Sequence, residues 1–341
     1  MAVDTTRKNA ETMPIAEFTN FLRACVLLKS RLVPGQTFSV YDQFVAIHGC
    51  IMGVRTPGST RFENLGHQNI GFLPWHREYL RTFERALQAE VPGVAIPYWP
   101  WPLIPEPSAL FSNSRAHRVF FSSSVQQPLG GLFADGGPAS PPTWWPSGFR
   151  WRVQPALQVG GAPVLRRGSP DNVWPPTQAA ITALENSNQT PSGINPYWIF
   201  WRDLESGPRM HNQGHNIIGG YMMNPVFSPN DPLFWLHHAF IDRVWARWQA
   251  KRRSASPGST FRSHYPAPAD VSPFNGQLAP NGHRIGDLMW PWVGTTPGYA
   301  VNAPAAVQAM LPTFPSNLER RVRDVLDIEN LGGGLGGYAY A

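Results

Sequence analysis

The sequence contains very little cysteine. Its 341 residues include only Cys25 and Cys50. Two thiols exclude a disulfide framework, although a single bridge between them remains compatible with the sequence. They also provide too few thiolates for an iron–sulfur cluster or a thiolate-rich copper site. Any metal chemistry in this protein therefore has to use other ligands.

Charged residues and long apolar runs are scarce as well. Asp, Glu, Lys and Arg make up 15% of the chain, the net charge is +6, and no nucleic-acid-binding motif accompanies the basic residues. No apolar run approaches transmembrane length, and residues 1–8 lack the apolar core of a signal peptide. We therefore expect a cytoplasmic protein that has no nucleic-acid partner and no membrane partner.

Proline, glycine and tryptophan are abundant instead, with 36, 31 and 14 residues. Much of this composition falls in residues 100–176, which show no clear helical or strand period. The candidate metal residues described next flank this stretch on both sides. We therefore interpret residues 100–176 as an irregular insertion within one domain that spans residues 1–341.

Six of the ten histidines fall into two groups of three, and no carboxylate stands among them at ligand spacing. Imidazole is a ligand for copper, zinc, iron and nickel, whereas magnesium, calcium and manganese need oxygen ligands. This ligand set points first to two copper ions and makes a dinuclear zinc hydrolase with a bridging carboxylate the least favoured interpretation. The two groups are His48, His67 and His76, followed by His211, His215 and His238.

Helical spacing places the second group on two helices. His211 and His215 are separated by four residues and share one face of a helix predicted within residues 208–220. His238 lies in a longer predicted helix that Asp231 and Pro232 open, as an N-cap residue followed by proline at the first helical position. Both helices therefore turn imidazole toward the protein interior.

The first group follows the same principle for two of its members. His48 ends the apolar stripe of one predicted helix, and His76 begins the stripe of another. A buried polar ring costs about 1–3 kcal/mol unless it finds a partner, and a shared metal centre supplies one. His67 is different, because Gly66, Gly71 and Pro74 interrupt any helix around it. We expect His67 to reach the metal from a loop and to be the most mobile ligand.

Periodicity leaves the other histidines less well defined. His237 has an apolar stripe of its own, so spacing cannot choose between His237 and His238 as the ligand. The remaining histidines, His117, His264 and His283, lie in loop-like contexts without ligand spacing. We interpret these three as surface residues.

Two long segments resemble the signatures of the tyrosinase and type-3 copper family. Residues 67–84, HQNIGFLPWHREYLRTFE, are similar to its first-copper signature, and residues 231–242, DPLFWLHHAFID, to its second. The resemblance covers residues 37–253 and extends to the end if residues 338–340, YAY, are the family's tyrosine motif. It implies a mainly α-helical fold with long irregular loops around a central four-helix bundle that holds a dinuclear copper site.

The resemblance also implies an assignment of the ligands. The first copper ion is held by His48, His67 and His76, and the second by His211, His215 and His238, which leaves His237 a supporting or packing role. Some family members link a cysteine covalently to the second ligand of the first copper. Leu65 occupies that cysteine's position in this sequence, so we expect no such thioether.

Monophenols must lose a proton before they coordinate copper, and a phenol with a pKa of about 10 is sparsely ionised at neutral pH. The resemblance implies a base made of water, a glutamate ahead of the second-copper helices and an asparagine after its first histidine. Asn212 matches the asparagine, and Glu205 is the expected glutamate. Asp203 is a competing candidate, and an exposed helix-end carboxylate is the alternative interpretation of Glu205.

The resemblance further implies an apolar substrate pocket. Phe234 precedes His238 by one helical turn, and Val226 and Phe227 belong to the expected rim above the second copper. Plain core packing is an equal alternative for Phe227. Apolar side chains of this kind suit an aromatic ring.

Together, these features predict a dicopper oxidase that uses dioxygen to hydroxylate monophenols and to oxidise o-diphenols to o-quinones. The alternative is a catechol or o-aminophenol oxidase without significant monophenol activity, and an oxygen carrier is more remote. The expected partners are a phenolic small molecule and dioxygen. Some bacterial relatives are exported with a helper protein that loads copper, so such a partner is compatible with this chain.

Overall fold

A computed structural model describes residues 3–103, 133, 138, 141–167, 175–187, 193–206, 210–256, 258–329, 331 and 337–341. Helices dominate the described regular structure, and the predicted mainly helical fold is confirmed. Their bounds are α1 Ile15–Ser30, α2 Val40–Ile51, α3 Phe72–Glu90, α4 Gln178–Glu185, α5 Pro196–Glu205, α6 His211–Asn216, α7 Leu233–Ala255 and α8 Ala305–Gln308.

The core of the molecule lies where α2, α3 and α7 meet. α2 begins at a capping box, in which Ser39 and Asp42 satisfy each other's backbone N–H groups. On α3 and α7, Phe83 and Trp235 stack with their ring centroids 3.6 Å apart. α1 packs against α2 and α3.

In the described part of the chain, strands form three small two-stranded sheets. β1 Val3–Arg7 runs parallel to β6 Gly337–Tyr340 and so joins the two ends of the described chain. β2 Val54–Arg55 pairs with β4 Ala300–Val301, and β3 Leu288–Val293 pairs with β5 Glu319–Arg321, both antiparallel.

Two helix boundaries differ from the sequence prediction. The helix predicted within residues 208–220 is shorter, because α6 ends at Asn216 and Gly219 adopts a left-handed φ of 67°. α7 begins at Leu233, and the Asp231 carboxylate accepts the Leu233 N–H at 2.9 Å. Asp231 also forms a buried ion pair with Arg167, which ties the start of α7 to residues 141–167.

Part of the predicted insertion, residues 100–176, lies outside the described residues. Its longest described stretch, residues 141–167, contains one short 3-10 helix, Pro155–Leu157, and packs on the core through the buried ring of Trp151. The single domain spanning residues 1–341 stays a prediction. Within the described part of the chain, no helix is both long enough and apolar enough to cross a membrane.

Candidate metal centre

Three histidines of the second group converge on one point. The Nε2 atom of His215 lies 3.1 Å from that of His211 and 3.2 Å from that of His238, and the remaining Nε2 separation is 3.4 Å. The Nδ1 atom of His215 lies 2.7 Å from the Met222 carbonyl oxygen, which only accepts, so Nδ1 carries the proton of the neutral ring. The Nε2 lone pair therefore faces the other rings. Lone pairs this close repel unless a cation lies among them, so the cluster fits a metal ion.

His48 and His76 of the first group show the same tautomer. The Nδ1 atom of His48 donates to the Val226 carbonyl at 3.0 Å, and that of His76 donates to the Phe72 carbonyl at 2.9 Å. Both Nε2 atoms are buried without a hydrogen-bond partner. The ring centroid of His67 lies 5.0 Å from that of His48 and 4.8 Å from that of His76. Buried acceptors without partners are costly, and a second metal ion would satisfy them.

The elements that carry these histidines explain why they meet. α2 ends close to His48, α3 carries His76 at the start of its second turn, and α6 and α7 carry the second group. The two groups adjoin directly, because the rings of His76 and His238 stack with centroids 4.3 Å apart and planes 9° apart. The four helices thus bring two three-histidine clusters side by side.

Burial keeps these imidazoles in the form that binds metal. Desolvation lowers the pKa of His48 from 6.5 to about 3 and that of His215 to about 4. It also lowers the pKa of His76, where neighbouring His48 adds to the effect. Neutral rings are therefore present at physiological pH, and neutral imidazole is the ligand form.

His237 lies within ligand distance of the second cluster, but its ring is engaged otherwise. The Trp101 indole N–H, which can only donate, points at the Nδ1 atom of His237 from 3.0 Å. In the neutral ring the proton then sits on Nε2, so no lone pair remains for a metal. The ring packs against Gly214, where an added Cβ would lie 2.2 Å from the His237 Cε1 atom. This geometry supports His238 as the ligand.

Glu205 and Asn212 both line a cavity next to the histidines. The Glu205 carboxylate accepts the backbone N–H of Gln68 at 2.6 Å and the indole N–H of Trp201 at 2.5 Å. Desolvation raises the pKa of Glu205 to about 8, against the opposing effect of these two hydrogen bonds. Glu205 is 2% exposed, so its interpretation as an exposed helix-end carboxylate is wrong. Asp203, by contrast, is solvent-exposed and pairs with Arg202 at 2.8 Å.

The cavity has a volume of about 320 Å³, which suits a small aromatic molecule. His67, His211 and His215 form part of its wall. Several lining residues have no signal in the sequence, because neither motif nor periodicity distinguishes them. These are Met52, Asn64, Ser206, Asn216, Met222, Met223 and Ser228, whereas Gln68 belongs to the first-copper signature and Pro225 to the expected rim.

None of the expected pocket residues is among the described residues that line the cavity, so their role in substrate binding stays a prediction. Phe234 is fully buried, with its ring 5.0 Å from that of His48 and 4.1 Å from that of His238, so it adjoins a histidine of each cluster. Val226 supports His48 through its carbonyl. The Phe227 ring packs on Gly49, where an added Cβ would lie 2.8 Å from it. Pro225 and Ser228, which flank Val226 and Phe227 in the sequence, do line the cavity.

The interpretation of His264 and His283 as surface residues is wrong. His264 is 8% exposed and its ring lies beside Trp248, and His283 is 1% exposed. The His283 ring contacts Gly71, whose absent side chain leaves room for it at the start of α3. His117 lies outside the described residues. Cys25 and Cys50 are both buried free thiols, so the bridge left open by the sequence does not form here.

Comparison with known proteins agrees with this geometry. The family model described as the common central domain of tyrosinase matches residues 38–251. A tyrosinase of Streptomyces glaucescens is 33% identical over 308 residues, which cover 86% of this chain and 94% of the relative. Grixazone synthase of Streptomyces griseus is 32% identical over 275 residues, which cover 72% of this chain and 84% of that protein.

Solved structures share the fold at lower sequence identity. A polyphenol oxidase from Thermothelomyces thermophila has a TM-score of 0.62 at 19% identity, over 99% of this chain and 88% of that one. A functional unit of octopus hemocyanin has a TM-score of 0.56 at 19% identity, over 98% and 68% of the two chains. The matched family and the two histidine clusters agree on two copper ions as the cofactor. The chain therefore belongs to the tyrosinase family and is a copper oxidoreductase of the tyrosinase type.

Proposed function

We propose that this protein uses dioxygen to hydroxylate monophenols and to oxidise o-diphenols to o-quinones. The observation that carries the proposal is the convergence of lone-pair Nε2 atoms in two adjoining clusters beside a cavity. In this proposal the first copper ion is bound by His48, His67 and His76. The second is bound by His211, His215 and His238.

The cavity provides the binding place for the phenol. When bound, the two copper ions supply the activation of dioxygen and the exchange of two electrons with the substrate. The thioether side chains of Met52 and Met222 and the ring of Pro225 offer apolar contact to an aromatic ring. The imidazole of His215 lines the same wall, so a phenolic oxygen that enters the cavity approaches the second cluster directly.

In this proposal Glu205 and Asn212 accept the phenolic proton through a water molecule. Both line the cavity, and Asn212 Oδ1 also lies 2.9 Å from the Nδ1 atom of His211. A carboxylate with a pKa near 8 has the basicity that proton transfer near neutral pH requires. The positive charge of nearby copper ions favours the ionised form of Glu205.

A second candidate is an oxidase of catechols or o-aminophenols with little monophenol activity. One observation favours it, since Glu205 already accepts N–H donors from Gln68 and Trp201. Hydrogen bonds to the charged form reduce the basicity of a carboxylate. A more remote candidate is an oxygen carrier, which would use the same ligands with little turnover.

Oxygen uptake with tyrosine, a catechol and an o-aminophenol side by side tests the proposal. The copper-reconstituted protein should contain two copper ions per chain, develop a strong near-ultraviolet band with peroxide, and consume oxygen with both tyrosine and the catechol. Uptake with the catechol or o-aminophenol alone would favour the second candidate. One metal ion per chain without the band would contradict the dicopper ligand set.

A helper protein that loads the copper is the partner in this proposal. His67 and His215 are half-buried and reach the cavity, so copper has a route to both clusters from the surface. Loading by dialysis against copper alone, compared with loading in the presence of a co-expressed helper, distinguishes the two routes.

A further inference from the structure

The segment that carries His67 is held by two asparagine side chains. The Oδ1 atom of Asn64 accepts the backbone N–H of Gly66 at 3.1 Å and that of His67 at 3.0 Å. The Nδ2 atom of Asn69 donates to the carbonyls of Asn64 and His67 at 2.6 Å and 2.5 Å. Both backbone polar groups of His67 are thus bonded to asparagine side chains instead of to a helix or a sheet.

Neighbouring residues hold the same segment at two further points. Glu205 accepts the N–H of Gln68, and the Tyr197 hydroxyl donates to the Ile70 carbonyl at 2.8 Å. Gln68 has a φ of 59°, in the left-handed region that non-glycine residues rarely occupy. Such a conformation costs about 1–3 kcal/mol and persists where surrounding contacts enforce it. These contacts argue against the expected mobility of His67, although His67 does lie outside any helix.

We infer that Asn64 and Asn69 are positioning residues that set His67 in its copper-binding place before the metal arrives. The inference rests on the proposed ligand set. His48 and His76 receive their positions from helical backbone hydrogen bonds, but His67 has no such support. The asparagine pair, Asn64 and Asn69, supplies the missing hydrogen bonds. Partners of this kind, which orient a ligand without touching the metal, change metal affinity when they are removed.

Asn64 also connects this support to the wall of the cavity. Its Nδ2 atom donates to the Met52 sulfur at 3.2 Å, and both residues line the cavity together with His67. The side-chain amide of Asn64 therefore has two roles. Its oxygen orients the backbone of His67, and its nitrogen orients Met52 in the cavity wall. Ordinary turn stabilisation is the competing explanation. Asn9 is a matched control, because its Oδ1 atom closes a similar turn by accepting the Glu11 N–H at 2.8 Å, near the N-terminal strand.

Copper affinity separates the two explanations. Asn64→Ala, Asn64→Asp, Asn69→Ala and Asn9→Ala are compared by equilibrium dialysis against a competing chelator. Asn64→Ala and Asn69→Ala should weaken the first copper about 10–100-fold and leave the second unchanged. Asn64→Asp keeps the oxygen acceptor and should restore most of the affinity. Asn9→Ala should bind both ions as the unchanged protein does.

Electron paramagnetic resonance reports the same outcome without reference to activity. Two coupled Cu(II) ions give no signal, whereas a chain that holds one Cu(II) ion does. At limiting free copper, Asn64→Ala should therefore show a mononuclear Cu(II) signal that Asn9→Ala lacks. Unchanged affinity in Asn64→Ala, or equal loss of both ions together with a lower melting temperature, would overturn the inference.

Further variants keep the test decisive if Asn64→Ala does not fold or if the proposed ligand set is wrong. If Asn64→Ala does not fold, Asn69→Ala and Asn64→Asp test the inference instead. Weak binding of the first copper ion is then expected in Asn69→Ala but not in Asn64→Asp. His67→Ala separates this inference from the proposed function. Retention of both copper ions in His67→Ala would refute the ligand set itself. Loss of the first ion there, with normal binding in Asn64→Ala and Asn69→Ala, would refute only the positioning role.

Discussion

The Asp242 carboxylate on α7 accepts the Nε–H of Arg77 on α3 at 2.6 Å, in the interior of the protein. Arg77 directly follows His76, and Asp242 lies one helical turn after His238. The ion pair therefore joins the two helices whose histidine rings stack between the clusters. Arg7 and Tyr340, from the paired terminal strands, contact the same carboxylate.

Asp242→Asn should destabilise the fold strongly. The change leaves the buried guanidinium of Arg77 without its counter-charge, and breaking a buried pair in this way costs about 3–5 kcal/mol. Urea unfolding of the metal-free protein measures the effect. Glu17→Gln is the matched control, because the side chains of the Lys8–Glu17 pair are 36% and 43% exposed and solvent-accessible pairs contribute about 0–1 kcal/mol. Equal losses in the two variants would contradict a special role for the Arg77–Asp242 pair.

His238→Ala should lose the second copper ion and nearly all oxidase activity. His237→Ala should keep both copper ions and lose some stability, because the Nδ1 atom of His237 is occupied by the Trp101 N–H. Metal analysis after reconstitution compares the two variants directly. Copper loss of the same extent in both would leave the choice of His238 unsupported.

Gly214→Ala should disturb the second cluster through packing alone. The added methyl group would lie 2.2 Å from the His237 ring, and α6 would have to move away from α7 together with His211 and His215. Overpacking of this kind costs about 1–3 kcal/mol. We expect a lower melting temperature and weaker binding of the second copper. Gly286→Ala is the control, since no atom lies within 4 Å of its added Cβ, and a similar loss there would rule out the packing explanation.

Glu205→Gln should reduce monophenol turnover by about 10²–10⁴, as expected for the loss of a general base. Catechol oxidation should fall much less, because the first proton of a catechol leaves more easily. A glutamine has one acceptor oxygen for the two donors, Gln68 and Trp201, so a moderate loss of stability should accompany the change. Initial rates with both substrates and a melting curve measure these effects.

Asp203→Asn is the control for this substitution. Asp203 is exposed, paired with Arg202 and absent from the cavity lining of the described residues, so neither substrate should be affected. If Glu205→Gln slows both substrates alike, the proton acceptor lies elsewhere. A selective loss of monophenol turnover in Asp203→Asn would transfer the role to that residue.

The sequence determined the chemistry of this protein to a large extent. Helical spacing and the two signatures singled out the six histidines, the helices that carry five of them and the loop that carries His67. These features are local, because the position of a side chain on a helix face depends only on the residues of that helix. The choice of copper followed from ligand type, since imidazoles without carboxylates suit few metal ions.

Only the tertiary structure decided which distant groups meet. Trp101 occupies the ring nitrogen of His237, Glu205 reaches the backbone of Gln68, and His283 packs on Gly71, each across a long sequence separation. Part of the cavity wall was equally unpredictable, because Met52 and Asn64 come from segments without a motif. Contacts of this kind depend on how the elements pack, and no period or local spacing records them.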